Sequence, residues 1–364
     1  MPPVSGRSEG RGPCAHPTGS PSACTPPGPC APLPRPLSAV CCPIPAVRFP
    51  VRFPARCAVR SPVRYPARSP VRRPGAPAVR RSAGRRSVQR NPDPKERSVI
   101  HQRTLFGDRK SQVTDLVIPC IDVAGGRATE PAAIPGLRDP GSVSEIARRY
   151  TGEGATKIFL DVLDPWPEAE YLPDLVRAVS GLGVSLLVSV DNGVLPTADH
   201  AEALLDAGAD AVSVSTNAVE CPKVVREVVA RRGGQHVLGV INSGLAGDAG
   251  DRVHVEGGRR PTRVPATAMA AELASIGVGA LLANSLDQEG SGAGYDLRLT
   301  RAVAEASGLP VIASGGAGTS EHLREALDSG SAAYVLVNAM VHGGRTSMAE
   351  IGRHLERHWS MAAR

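Results

Sequence analysis

The sequence predicts an α/β protein: a (β/α)8 TIM barrel over residues 113–364, preceded by a disordered, low-complexity basic extension over 1–112. Two observations carry this prediction. After Gln112, eight short runs rich in Val, Ile and Leu alternate with stretches of helical length. Charge also divides at that point, +17 over residues 1–112 and −10 over the remainder, although the whole chain of 364 residues carries only +7. Asymmetry of this size marks two physically different segments. The acidic part, about 250 residues long, has the usual length of one such barrel and can bury its own core.

The eight runs are Leu116–Ile121, Lys157–Val162, Val184–Val188, Ala211–Ser215, His236–Ile241, Ala280–Asn284, Pro310–Ala313 and Ala333–Val337. Continuous β-branched runs of this length are strands buried on both faces, hence parallel strands, and eight strand–helix units close more readily into a barrel than into an open sheet. Helical patterns follow the runs, as in Ser142–Gly152 and Pro196–Ala207. Helices end at Gly-containing corners such as Gly208-Ala209-Asp210 and Gly277-Val278-Gly279, because glycine takes the left-handed conformation cheaply. The fourth and eighth units echo each other, small-Gly-small, strand, polar residue, helix, over Gly208–Val219 and Gly330–Val341, as two similar half-barrels would.

The extension has the opposite character. From Val47 to Pro74 a unit of broadly Val/Ala-Arg-x-Pro recurs seven times, as in Val47-Arg48-Phe49-Pro50. Proline at this density removes backbone donors and blocks helix, and the arginines repel one another, so disorder with polyproline II character is expected. A basic tail can bind nucleic acid or anionic membrane, but composition alone argues more for an extension without such a role, so a nucleic-acid partner is not expected. Six of the eight cysteines lie here, irregularly spaced and without paired histidines, so no metal site is expected. The two in the barrel, Cys120 and Cys221, suit a reducing cytoplasm. No apolar run approaches the ~20 residues of a membrane span, and no cofactor is called for.

Barrel active sites lie at the C-terminal ends of the strands. The first strand ends in Ile118-Pro119-Cys120-Ile121-Asp122-Val123, which puts the Asp122 carboxylate at that rim, as catalytic group or as loop cap. The seventh ends in Ala313-Ser314-Gly315-Gly316-Ala317-Gly318 before a helix, and the eighth in Val337-Asn338-Ala339-Met340. Bare backbone N–H groups beside a helix N-terminus favour an anion, and barrels commonly bind phosphate between these two loops. The loop after the sixth strand, Ser285–Asp296, is glycine-rich and suited to closing over a substrate.

These segments, with Leu137-Arg138-Asp139-Pro140-Gly141, Phe159-Leu160-Asp161 and Gly294-Tyr295-Asp296, resemble the cyclase subunit of imidazole glycerol phosphate synthase (HisF). The resemblance runs from about Leu116 to the C-terminal helix, and the Gly-Tyr-Asp segment favours the cyclase over its sister isomerase. It implies a lyase/cyclase of histidine biosynthesis. That family joins ammonia, delivered by a glutaminase subunit, to a phosphoribulosyl-formimino aminoimidazole carboxamide nucleotide, and releases imidazole glycerol phosphate and AICAR. By position, Asp122 matches the first catalytic Asp and Asp161 a further matched carboxylate. Gly290, Ser291, Gly315, Gly316 and Thr216 fall where the family binds two phosphates, with Ser314 and Asn338 beside them.

Several working positions depart from the family pattern. The second catalytic Asp is Asn242, which can hold a hydrogen bond but cannot exchange a proton near neutral pH. An expected Lys is Glu130, an Asp in the strand-six loop is Glu289, and the Asn before Thr216 is Ser215. The glycine run that wraps one phosphate reads Ser189-Val190-Asp191-Asn192-Gly193-Val194. The four charges that ring the barrel bottom of the family are Leu116, Thr156, Ala211 and Ala280, which argues against a glutaminase partner. Two readings stay open: a cyclase acting on a phosphorylated small molecule, in ordinary or retasked form, and a non-catalytic barrel that binds a phosphometabolite or a protein.

Overall fold

In a computed structural model, which describes residues 113–247, 250–329 and 332–362, eight parallel strands close a ring. In ring order these are β1 (Val117–Ala124), β3 (Lys157–Val162), β4 (Ser185–Val190), β5 (Ala211–Val214), β6 (Val237–Leu245), β9 (Ala280–Ser285), β10 (Val311–Ser314) and β11 (Tyr334–Val337). The β5–β6 pairing and the β11–β1 pairing complete the closure. The predicted barrel is therefore present, and every predicted run lies on its strand. The extension expected over 1–112 lies outside the described residues.

Side chains alternate across each strand, so every strand serves two cores. Val117, Ile121, Ile158, Leu160, Leu186 and Val212 face outward to meet the apolar stripes of the helices. Ile118, Cys120, Phe159, Leu187, Leu238, Leu282, Ile312 and Tyr334 belong to a second cluster that fills the barrel. This plug reaches the bottom, where Leu116 joins it with Ala280, and Ala211 is fully buried beside Leu187. Three of the four expected ring positions are thus apolar and packed. The fourth, Thr156, donates its hydroxyl to Asp115 Oδ1 at 2.7 Å.

Local signals agree with the elements. Ser142 caps the helix Val143–Gly152 by accepting from Glu145 N at 3.3 Å, and Gly208 closes the helix Ala198–Ala207 at φ +117°. The echo between units four and eight is visible in the backbone. Ser215 (φ −127°, ψ −77°) and Asn338 (φ −131°, ψ −87°) share one unusual conformation, each leading directly into a short helix. Gly330 itself lies outside the described residues.

Two additions interrupt the eightfold pattern. A short β2 (Arg127–Ala128) turns back on β1, and β6 runs into an antiparallel hairpin of β7 (Asp251–Val255) and β8 (Arg260–Pro265). The hairpin follows the fifth barrel strand, so its tip, Glu256–Arg259, lies at the catalytic end. The alternation Arg252-Val253-His254-Val255 before Glu256-Gly257-Gly258 was its sequence signal.

Candidate active site

The C-terminal ends of the strands surround one cavity of about 780 Å³, the size of a small-molecule site. Asp122, Asp161, Asn242 and Glu289 line it, together with Gly290, Ser291, Ser314, Gly315, Gly316 and Asn338. Thr216 does not. It is buried beneath the hairpin tip, where its hydroxyl donates to Asn192 O (3.3 Å) and accepts from Glu256 N (2.9 Å).

Asp122 on β1 and Asp161 on β3 are register partners, so two carboxylates stand side by side in the mouth. Asp122 is held at both oxygens: Asn338 Nδ2 donates to Oδ2 at 2.8 Å, and Cys120 Sγ to Oδ1 at 3.4 Å. Burial, the Asp122 charge and then Glu289 push the Asp161 carboxyl up to about 6, against a hydrogen bond from Ser189. Burial first, then the two aspartates, also keep the Cys120 thiol protonated well above its usual range, so it serves as a donor and not as a nucleophile.

The raised Asp161 carboxyl has a consequence for stability. Its folded pKa lies above its unfolded value, so the folded state binds the proton more tightly, and this contribution is present below about pH 4 and lost as pH rises through about 6. Asp161→Asn, a neutral isostere, is expected to be more stable than the parent at pH 8 by up to about 3 kcal/mol, converging on it below about pH 4. Thermal melts at the two pH values check this; equal differences at both would show that the carboxyl is not perturbed.

On the opposite wall stands a chain of neutral amides. Asn284 Nδ2 donates to Asn242 Oδ1 (3.0 Å) and reaches Glu289 Oε2 (3.5 Å), while Asn242 Nδ2 donates to Ser215 Oγ (3.2 Å). Asn242 and Asn284 are register partners on β6 and β9. Asn242 is therefore fixed in place by both ends of its amide.

The glycine-rich segments are explained first by packing. A Cβ on Gly315 would lie 2.5 Å from Ser285 O, on Gly316 2.1 Å from Gly294 O, and on Gly318 2.2 Å from Gly292 O. The loops after β9 and β10 thus approach backbone to backbone, joined by Gly294 N donating to Gly316 O at 2.8 Å. The Gly294-Tyr295-Asp296 segment clamps this arrangement. Tyr295 donates its hydroxyl to Leu336 O (2.8 Å), and Asp296 caps the helix Leu297–Ser307 by accepting from Leu299 N (2.8 Å).

Family comparison reaches the same barrel. The family model described as "Histidine biosynthesis protein" matches residues 116–347. The chain belongs to this histidine-biosynthesis family. Among curated relatives, the "Imidazole glycerol phosphate synthase subunit HisF" of Myxococcus xanthus (strain DK1622) is 41% identical over 241 residues, which is 66% of this chain and 94% of the relative. Proteins of the same description from Thermosynechococcus vestitus (39% identity, 66% of this chain, 88% of the relative) and Synechococcus sp. strain CC9311 (40%, 66%, 92%) are similar to it as well.

The mouth of this chain is poor in cations. Asp122, Glu130, Asp161 and Glu289 line it, against Arg345 as the one Lys or Arg among its described lining residues. Asn284, Arg345 and the hairpin tip are site components that the sequence reading gave no role, while Cys120 and Ser189 entered it only as members of the first-strand motif and of the altered third-strand loop. Cys120 and Asn284 had a findable signal, being two residues inside Asp122 and at the mouth end of a predicted strand, respectively. No grouping of side chains suited to a metal ion occurs among the described residues, and no helix there is long and apolar enough to cross a membrane.

Proposed function

We propose that the chain is a carbon–nitrogen lyase/cyclase of the HisF type, diverged in its acid–base set, that takes a phosphorylated small molecule into the barrel mouth. The side-by-side placement of Asp122 and Asp161, facing the same cavity as the Ser314–Gly316 loop, carries this reading. Asp122 is the general acid or base, oriented by Asn338 and Cys120. Asp161, pushed up to about 6, keeps a proton within reach of it in mildly acidic solution. A phosphate sits between the loops after β10 and β11, at Ser314, Gly315 and Gly316, with Gly290 and Ser291 closing from the strand-six loop. The helix Ser320–Ser329 starts just behind this seat and favours negative charge there. Ammonia comes from solution, because Leu116, Thr156, Ala211 and Ala280 at the barrel bottom offer a glutaminase none of the charged ring.

The amide chain through Asn242 favours a second reading, a barrel that binds the phosphometabolite without turning it over. Complementation of a histidine auxotroph lacking the cyclase separates the two. Under the catalytic reading, expression in ammonium-rich medium supports slow growth, and Asp122→Asn lowers turnover of the purified protein by about 10²–10⁴. Undiminished activity in Asp122→Asn would remove Asp122 from the mechanism. Absence of growth with saturable phosphate-ester binding would leave the binding role.

A further inference from the structure

We propose that Arg345 is the cation that receives the ligand's phosphate, reaching it from the loop after β11. The proposal rests on the phosphate seat described above and names the side chain that neutralises its occupant.

The charge of the mouth calls for such a group. Asp122, Glu130, Asp161 and Glu289 line the cavity, and a phosphate dianion brought among four acidic side chains is repelled unless a cation stands with it. The seat itself, Ser314, Gly315 and Gly316, supplies no charged side chain. The first loop brings Glu130 where the family resemblance leads to a Lys. Arg345 is the one Lys or Arg among the described lining residues.

Its guanidinium is uncommitted. Arginines elsewhere on the barrel pair with carboxylates, as Arg127 does with Asp139 and Arg298 with Asp251. Arg345 is exposed and makes no ion pair or side-chain hydrogen bond with a described residue. Its backbone, by contrast, is fixed. The N–H groups of Arg345 and Thr346 both donate to Met340 O, at 3.1 and 3.2 Å, which folds the chain back on the short helix Ala339–His342. That helix starts directly after Asn338, beside the seat. The first loop braces the same turn. Ala133 N donates to His342 O at 2.9 Å, His342 Nε2 donates to Glu130 O at 2.8 Å, and a Cβ on Gly344 would stand 2.2 Å from Ala133 O. Asn338, Ala339, His342, Gly343 and Arg345 accordingly all line the cavity. A guanidinium on a fixed base, with no partner to give up, offers a fork of N–H donors that matches phosphate oxygens.

Calorimetric titration of the full chain with the phosphoribulosyl-formimino aminoimidazole carboxamide nucleotide tests this. In Arg345→Gln the dissociation constant is expected to rise about tenfold or more at low salt, the usual worth of a hydrogen bond to a charged group. The gap from the parent is expected to narrow as ionic strength is raised toward about 0.5 M, because Arg345 is exposed. Arg345→Lys, which keeps the charge, is expected to bind more tightly than Arg345→Gln by about threefold or more. Both variants are expected to melt with the parent, since the guanidinium holds no described group in place. Binding by Arg345→Gln within about twofold of the parent would overturn the proposal and leave the phosphate seat standing. A loss that salt does not change, or that Lys does not lessen, would overturn it as well. Failure of the parent to bind the nucleotide would overturn the seat and the proposal together.

Discussion

Asn242→Asp is expected to raise ammonia-dependent cyclisation by about 10²–10⁴, the usual worth of one positioned acid or base. The site is shaped to accept the change. A carboxylate at 242 would still accept from Asn284 Nδ2, now 3.0 Å from Asn242 Oδ1, and the Ser215 hydroxyl, 3.2 Å from Nδ2, can rotate from accepting to donating. No heavy atom has to be added or moved. The Glu289 carboxylate, reached through Asn284, would hold the new acid's affinity for its proton up, toward the range in which exchange near neutral pH is efficient. Steady-state rates with free ammonium at saturating nucleotide read the effect. An unchanged rate with unchanged nucleotide affinity would mean that Asn242 is not the position that limits catalysis.

Gly316→Ala is expected to cost about 3 kcal/mol or more, or roughly 6–12 °C in Tm for a domain of this size. The new methyl would be placed 2.1 Å from Gly294 O at a φ of +99°, so the loops after β9 and β10 would have to part and give up the hydrogen bond between Gly294 N and Gly316 O. Gly290→Ala is the control. It also sits at positive φ, +71°, but its Cβ would meet nothing within 4 Å, so its cost is confined to backbone conformation, about 1 kcal/mol. Equal losses in the two variants would show that the loops are not packed on each other. Gly316→Ala should also weaken phosphate-ester binding, because the parted loops carry the phosphate seat.

The motifs that carry the family resemblance turn out to do different physical work. Asp122 and Asp161 face the cavity as carboxylates. Asp139 instead receives both ends of the Arg127 guanidinium, and Arg127 lies where a Cβ on Gly141 would stand, so the Leu137–Gly141 segment ties down the first loop. Tyr295 and Asp296 are a clamp and a cap. A motif read as one signature thus divides into groups that meet substrate and groups that hold those groups in place.

The sequence by itself determined the barrel and the rim. Parallel strands buried on both faces must be continuous apolar runs, so Lys157–Val162 could be read residue for residue, and the end of each run named the catalytic face. It also determined that the side chain at position 242 is an amide that does not titrate, since residue identity alone fixes what can exchange a proton. Tertiary structure decided what those residues meet. Asn338, read as a ligand contact, gives its amide to Asp122 across 216 positions of chain. Thr216, read as a phosphate contact, is spent on a hairpin tip that arrives from 40 residues away. Periodicity reports which face a side chain takes; the partner on that face comes from another strand, and only closure of the ring brings the two together.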